Sequence, residues 1–436
     1  MNNQGKRIKR KMYGIKGILC LLLMLLLAAC GGQTEGTSSS AAGSNGSSGT
    51  TEGKSDSPQG VTDSEILVGF VGPQTGATAI YDSNRKAIES YFKYVNENGG
   101  VDGRTLKLIA YDNQGEPAKT VQAVKRLVEQ DKVFAMVGNT GSSANLAVLD
   151  YYKKTGIPVI MAGTGNGQLV NPPVPNVLGI SVINYSIEAR LLLDYAVNQA
   201  DAKTIAIAYQ NDELGKEGLE AIKEAIGNYP DVEIVEEVNF LQTDVEFSSQ
   251  AQKIQKAKPD AVIVLSTPNP AANLKKALHR IGADDIAYVV TSVGGNDTNL
   301  FELAGEDVWN GTISAATIPI PGGDDDSESL KLFVERFGAD YPKEPLIGVS
   351  QSGWGSAEVF VEGLKRAGDN LDWPSFLETF YTFDNWQDSI YAGISFSEDN
   401  HYGVTSLYMT EAKDGKIEST SVIMTVDPKT GEVTSE

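Results

Sequence analysis

Two short turns in this chain hold the residue types best suited to chemistry. Residues 133–152 read VFAMVGNTGSSANLAVLDYY: an apolar run that breaks at Gly138, a polar turn bearing Ser142, Ser143 and Asn145, and then a helical period. The first backbone N–H groups of a helix lack internal partners and carry partial positive charge, so such a turn suits a phosphate, a carboxylate or another polar oxygen. Ser142 or Ser143 could equally cap the helix. The second turn, GTGNGQ at 163–168, departs from the dinucleotide fingerprint. Gln168 stands where a third glycine is required, and the Pro-rich NPPVPN (171–176) follows in place of a helix. No GxxxxGK[ST] phosphate loop occurs, and Gly141-Ser142-Ser143-Ala144-Asn145 does not fit the G-x-S-x-G nucleophile elbow.

Histidine and cysteine usage removes further chemistries. The two histidines, His279 in LKKALHRIG and His401 in EDNHYG, are too few for a multi-histidine zinc site, and a Ser-His-Asp triad would have to use one of them. No cofactor or metal is expected. The two cysteines are Cys20 and Cys30. Lys6, Arg7, Lys9, Arg10 and Lys11 precede an apolar run at 18–29 that ends in LLAAC. A basic start, a short apolar stretch and small residues describe a secretory leader, and the run is shorter than the roughly 20 residues of a membrane span. LLAAC resembles the lipobox of bacterial lipoproteins, which implies cleavage after residue 29 and a lipid on Cys30. The Gly/Ser/Thr-rich stretch at 30–60 reads as a flexible tether. Removing the six basic side chains of the leader takes the formal charge from −21 to −27, which suits neither nucleic acid nor an anionic lipid surface.

The elements that must position these turns follow an alternating pattern. EILVGFVG (65–72), TLKLIAYD (105–112), VFAMVG (133–138) and IPVIMAG (157–163) predict strands, with helical stretches between them. After NPPVPN the rhythm restarts with strands at 203–210, 232–239, 260–266, 286–292 and 309–316 and helices at 213–228, 246–258 and 270–282. Helices around 326–340 and 350–368 and three late strands complete the chain. The expectation is an α/β fold: two doubly wound parallel-sheet lobes joined by three crossovers near 183, 318 and 391. Lobe 1 would comprise 61–183 plus 318–390, and lobe 2 would comprise 184–317 plus 391–436. In such sheets ligands sit outside the carboxyl ends of the strands. That rule selects the loops at 72–76, 139–143 and 163–167 in one lobe and at 210–214, 267–269 and 293–297 in the other.

The loop PQTG, NENGGVDGR before the second strand, YDNQGEPAKT after it, GIPVI, QNDELGKEGLEAIKEA and PDAVIVLSTPNPAANLKKALHRIG stand in one order across 61–425. In that order the chain resembles the solute-binding lipoproteins related to the leucine/isoleucine/valine-binding protein, of the type I periplasmic-binding-protein fold. The resemblance implies a monomeric two-lobed clamp that closes on an amino acid, amide or small carboxylate. It also implies delivery to an ABC permease from the extracytoplasmic face of the membrane. The family's serine matches Ser142, with Ser143 and Asn145 beside it, its contact after the fourth strand falls on Gly163 and Thr164 or on Gly165, and its first-loop aromatic matches Tyr81. Where the family has a tyrosine and an acid in the second lobe, this chain has Leu214 and Val293, so either Asp212 or Asp297 receives a ligand ammonium, with Thr267 and Asn269 nearby, or the ligand is not an ordinary α-amino acid. Tyr185 and Trp354 are either apolar walls of the cleft or core aromatics. A sensor subunit, and an amidase or esterase built on Ser142, are the alternative functions.

Overall fold

The computed structural model describes residues 58–76, 78–320, 327–391, 393–427 and 432–435. The expected leader, Cys30 and nearly all of the tether lie outside the described residues.

Continuous apolar runs bounded by glycine or polar turns become strands buried on both faces, as a sheet covered by helices requires. The first half alternates β1 (Glu65–Gly72), α1 (Asp82–Glu97), β2 (Thr105–Asp112), α2 (Pro117–Glu129), β3 (Ala135–Val137), α3 (Ser142–Thr155), β4 (Val159–Ala162) and β5 (Val177–Ile180). These strands form a parallel sheet in the order β2-β1-β3-β4-β5. The chain then runs through α4 (Tyr185–Asn198), β6 (Thr204–Gln210), α5 (Glu213–Ala225), β7 (Glu233–Phe240), α6 (Ser248–Ala257), β8 (Ala261–Leu265), α7 (Pro268–Arg280) and β9 (Ala287–Val290). Short helices α8 (Ser292–Gly295), α9 (Asn299–Ala304) and α10 (Glu306–Trp309) lead to β10 (Ile313–Ala316). Next come α11 (Glu328–Asp340), α12 (Gly348–Ala367), α13 (Trp373–Thr379) and the hairpin β11 (Ser395–Ser397) and β12 (Asn400–Gly403). The chain ends in β13 (Ser406–Lys413), β14 (Lys416–Val426) and β15 (Val433–Ser435), which extend the second sheet antiparallel to give β15-β14-β13-β10-β9-β8-β6-β7.

Of the elements that were not anticipated, two lie closest to the turns singled out above. β5 emerges straight from the Pro-rich run, and its four residues are all buried. The second, α4, is buried around most of its circumference, so the polar stripe by which helices are read from sequence narrows to Ser186, Arg190, Asp194 and Asn198. It packs on α5 and the second sheet, so the first passage between sheets lies at 181–184. The second passage includes residues 321–326, outside the described residues. The third lies later than the expected point near 391. The β11–β12 hairpin packs on β5, and Phe396 sits among Phe380 and Phe383 in the first lobe's core, so the chain leaves that lobe only after Gly403.

Helix α12 returns to the first lobe and lies across α1. Its sequence QSGWGSAE explains how close the helices come, because a methyl group on Gly353 would overlap the backbone carbonyl of Asn84. Trp354 then fills the core between Tyr91 and Phe333, with ring centroids at 4.9 and 5.6 Å, and its Nε1 donates to Glu358 Oε1 at 2.9 Å. It is fully buried, so the reading of Trp354 as a cleft wall gives way to core packing. Gly353→Ala should cost about 1–3 kcal/mol of stability, the usual range for overpacking. Urea denaturation would measure this, and a change under about 0.5 kcal/mol would contradict the close approach.

Candidate functional site

The turn after β3 is built from asparagine. Asn139 Oδ1 accepts from Val71 N at 2.8 Å and its Nδ2 donates to Tyr152 OH at 2.7 Å, which fixes the end of β3 against β1 and α3. Asn145 Nδ2 donates to Asn139 O at 2.7 Å and to Gly141 O at 3.0 Å. Asn145 is buried, its amide nitrogen holds the turn's backbone, and its Oδ1 has no hydrogen-bond partner among the described residues.

Helix α3 begins at Ser142, and Gly141 at its N-cap position supplies no side-chain cap. Neither serine caps the helix. Instead Ser142 Oγ lies 2.7 Å from Thr164 Oγ1 and 3.1 Å from Tyr185 OH. Three hydroxyls from the start of α3, the loop after β4 and the start of α4 therefore meet at one helix N-terminus. Gly163 positions the middle one by backbone alone: its N–H donates to Asn139 O at 2.7 Å and its carbonyl accepts from Gly141 N at 3.0 Å. Gly165 O accepts from Tyr185 N and from Asn184 Nδ2, both at 3.0 Å.

Tyr81 and Asp212 stand beside this cluster. Burial, then the neighbouring Tyr185 and Asp212, push the Tyr81 hydroxyl up to about 12. Burial also raises Tyr185, and Asp212 adds to the shift, while hydrogen bonds with Ser142 and Thr164 oppose it. Both phenols thus stay protonated and able to donate at neutral pH. Asp212 also caps α5, accepting from Gly215 N at 3.2 Å. Gln210, buried at the end of β6, donates to Asp212 and accepts from Thr267 Oγ1 at 2.8 Å, which links the ends of β6 and β8.

The remaining candidates lie apart from the hydroxyls. Ser143 Oγ donates to Glu213 Oε1 at 2.8 Å, joining α3 to α5. Asn269 is exposed in the first turn of α7. Asp297 accepts from Asn299 N at 2.9 Å at the start of α9, and burial raises its carboxyl. Leu214 is buried in the core, and half-buried Val293 packs against it. The histidines are structural: His279 Nδ1 pairs with Asp284 at 2.7 Å on the surface, and His401 Nδ1 donates to Val177 O at 2.9 Å. A groove of about 890 Å³, lined by Ser143, Asn166, Gly167, Asn184, Asp212 and Glu217 among others, opens beside the cluster.

Sequence reasoning missed Glu188, which has no motif around it. It is fully buried on α4, its Oε1 accepts from Ser292 N at 2.6 Å beyond the end of β9, and its Oε2 is buried without a hydrogen-bond partner. Burial pushes its carboxyl up to about 7, against the pull of Ser292. Burial likewise raises Glu358 to about 7, although Ser329, Ile390 N and Trp354 all donate to it. A carboxyl raised above its unfolded value of about 4.3 gives stability that is complete below that pH and is lost as the pH rises through about 7. Unfolding free energy should therefore fall between pH 5 and pH 8 by an amount on the order of 3 kcal/mol per carboxyl. Glu188→Gln should remove its share of that slope, whereas an unaltered slope in urea titrations would show that Glu188 is ionised throughout.

A family profile described as periplasmic binding protein matches residues 65–416, and the chain belongs to that family. Among relatives, the Leu/Ile/Val-binding protein homolog 3 of Brucella melitensis is 22% identical over 356 residues, covering 81% of this chain and 93% of that one. Among solved structures, the branched-chain amino acid transporter substrate-binding protein of Streptococcus pneumoniae, in complex with isoleucine, superposes with a TM-score of 0.71 at 22% identity, covering 85% of this chain and all of that one. A solute-binding protein of R. palustris in complex with 4-hydroxybenzoate gives 0.70 at 19% identity, covering 81% and 95%. At these identities the likeness shows the fold: the type I periplasmic-binding-protein architecture of two α/β lobes. Family members are extracytoplasmic solute-binding proteins, and among the described residues no helix is long and apolar enough to cross a membrane.

Proposed function

We propose that this protein captures a small carboxylate-bearing solute, of the branched-chain amino acid kind, between its lobes and delivers it to an ABC permease. The observation that carries this reading is the uncapped N-terminus of α3, where Ser142, Thr164 and Tyr185 hydroxyls converge. A carboxylate placed there would take charge-assisted hydrogen bonds from hydroxyls and from first-turn N–H groups. Tyr81 would close one side. Asp212, the acid whose field reaches both Tyr81 and Tyr185, would receive an ammonium, while Asp297 is occupied at the start of α9. The lobes would close about the three passages, with the β11–β12 hairpin assigned to the first lobe. Function then rests on tighter binding by the closed arrangement, with no bond made or broken. The partners of Ser142 are hydroxyls and not a base, which supports binding over an amidase reading. Cys30 would carry the lipid that keeps the body at the outer membrane–water surface of the cell.

Isothermal titration with L-isoleucine, L-valine, isoleucinamide and 4-hydroxybenzoate tests the reading. Joint Ser142→Ala and Thr164→Ala substitution should weaken carboxylate binding by about 3–6 kcal/mol, given roughly 1.5–3 kcal/mol for each of two hydrogen bonds to a charged group. Asp212→Asn preserves the cap and should weaken amino acids while sparing 4-hydroxybenzoate. Unchanged affinity in the double variant would return those hydroxyls to a structural role. Cys30→Ser should abolish incorporation of a labelled fatty acid in cells, and undiminished labelling would overturn the anchor.

A further inference from the structure

The loop that carries Gly163, Thr164 and Gly165 is not held by its own lobe alone. Glu217, on α5 of the second lobe, accepts from Gly167 N at 3.0 Å through Oε1 and at 3.3 Å through Oε2. The same Oε1 accepts from Asn184 Nδ2 at 2.8 Å and from Ser186 Oγ at 3.2 Å. Asn184 in turn donates to Gly165 O at 3.0 Å, and its Oδ1 caps α4 by accepting from Ile187 N at 3.1 Å. One carboxylate therefore gathers the loop bearing Thr164 and the helix start bearing Tyr185. A side chain at position 167 would intrude on this arrangement, because a Cβ there would lie 2.8 Å from Asn184 Nδ2 and 2.9 Å from Glu217 Oε1. Four residues earlier, on the same face of α5, Glu213 accepts from Ser143 across the lobes.

We propose that Glu217 is a positioning residue for ligand capture: it fastens the loop after β4 to the start of α4, so that Thr164 and Tyr185 meet Ser142. The proposal rests on the hydroxyl cluster being the ligand site. Glu217 itself touches the loop's backbone and the Asn184 and Ser186 side chains, and it contacts none of the three hydroxyls. Its removal should therefore lower affinity for every solute by the same factor, whereas loss of a ligand contact would change selectivity. Glu217 is half-buried and lines the groove of about 890 Å³, so water competes for it and the factor is modest.

Hydrogen exchange on the full-length chain without added solute reads this arrangement directly. Glu217→Ala should speed amide exchange across 163–171 by about tenfold, the equivalent of one ordinary hydrogen bond. Glu217→Gln, whose amide oxygen still accepts from Gly167 N, should stay within about twofold of the wild type. Titrations with L-isoleucine, L-valine and 4-hydroxybenzoate should show Kd rising about tenfold in Glu217→Ala by a common factor, with ratios between solutes unchanged. Exchange unaltered in Glu217→Ala, equal damage from Gln and Ala, or a shifted ratio between solutes would each overturn the positioning role. Failure of the wild type to bind any of these solutes would refute the ligand reading instead, and the exchange measurement would still decide the role of Glu217.

Discussion

The meeting of Ser142 with Thr164 and Tyr185 is the interaction that the rest of the fold serves. The three residues are separated by 22 and 43 positions in the chain, so holding their hydroxyls within 3.1 Å requires a scaffold that has already lost its conformational freedom. A parallel sheet meets this requirement simply. It places every strand's carboxyl end, and the helix start that follows, along one edge. Because β3 and β4 are neighbours in register from Met136 opposite Val159, Ser142 and Thr164 emerge side by side. Tyr185 needs more, since it lies beyond the passage to the second lobe and must be brought back to the same edge.

That return is secured by apolar packing on one side and hydrogen bonds on the other. A single buried cluster runs from Val124, Val148 and Tyr152 on the first lobe through Leu169, Val170 and Ile183 into Leu191, Ile207 and Ile263 of the second. The lobes are thus continuous at this edge, and Tyr185 is part of the same cluster. The third passage is anchored from the opposite direction. His401 Nδ1 donates to Val174 O and Val177 O, and its Nε2 lies 3.1 Å from Tyr381 OH, which pins β12 on β5 just before the chain crosses to β13. Burial lowers the pKa of this imidazole, so the neutral form that makes these bonds is the favoured one.

How much of this was legible in the sequence depended on the reach of each signal. Continuous apolar strands such as AVIVL announce themselves, because five buried residues in a row need no partner to be recognised. β5 was hidden by the prolines before it, and α4 by the narrowness of its polar face. Within the site, Ser142 was legible because its place after a strand and before a helix determines its surroundings. The bonds of Asn145 to Asn139 O and Gly141 O were not legible, because they arise from backbone geometry that no residue pattern encodes. Trp354 stayed open between wall and core for a related reason: Gly353 before it marks a close approach of α12 to α1, which no pattern in the sequence distinguishes from a cleft. Glu188 and Glu217 were invisible because their partners, Ser292 and Gly167, lie 104 and 50 residues away.

The acids of the second lobe differ in what the fold has already asked of them. Glu188 is buried with its pKa raised to about 7 and one oxygen bonded to Ser292 N, so at neutral pH much of its population carries no charge to offer a ligand. Asp297 is spent on Asn299 N, and burial raises its carboxyl as well. Asp212 is also a helix cap, yet its charge is felt by both Tyr81 and Tyr185. Burial is the main cause that raises both phenols, and Asp212 adds to it; a protonated phenol is a donor to a carboxylate. Under the proposed reading an acid placed there would hold an ammonium directly, beside hydroxyls that face the ligand's carboxylate. An isolated ammonium withdrawn from water needs such a partner, because its desolvation alone costs several kcal/mol. Under that reading the departures at Leu214 and Val293 are compatible with an amino-acid ligand, since Leu214 is core and Asp212, two positions before it, would supply the acid missing at Val293.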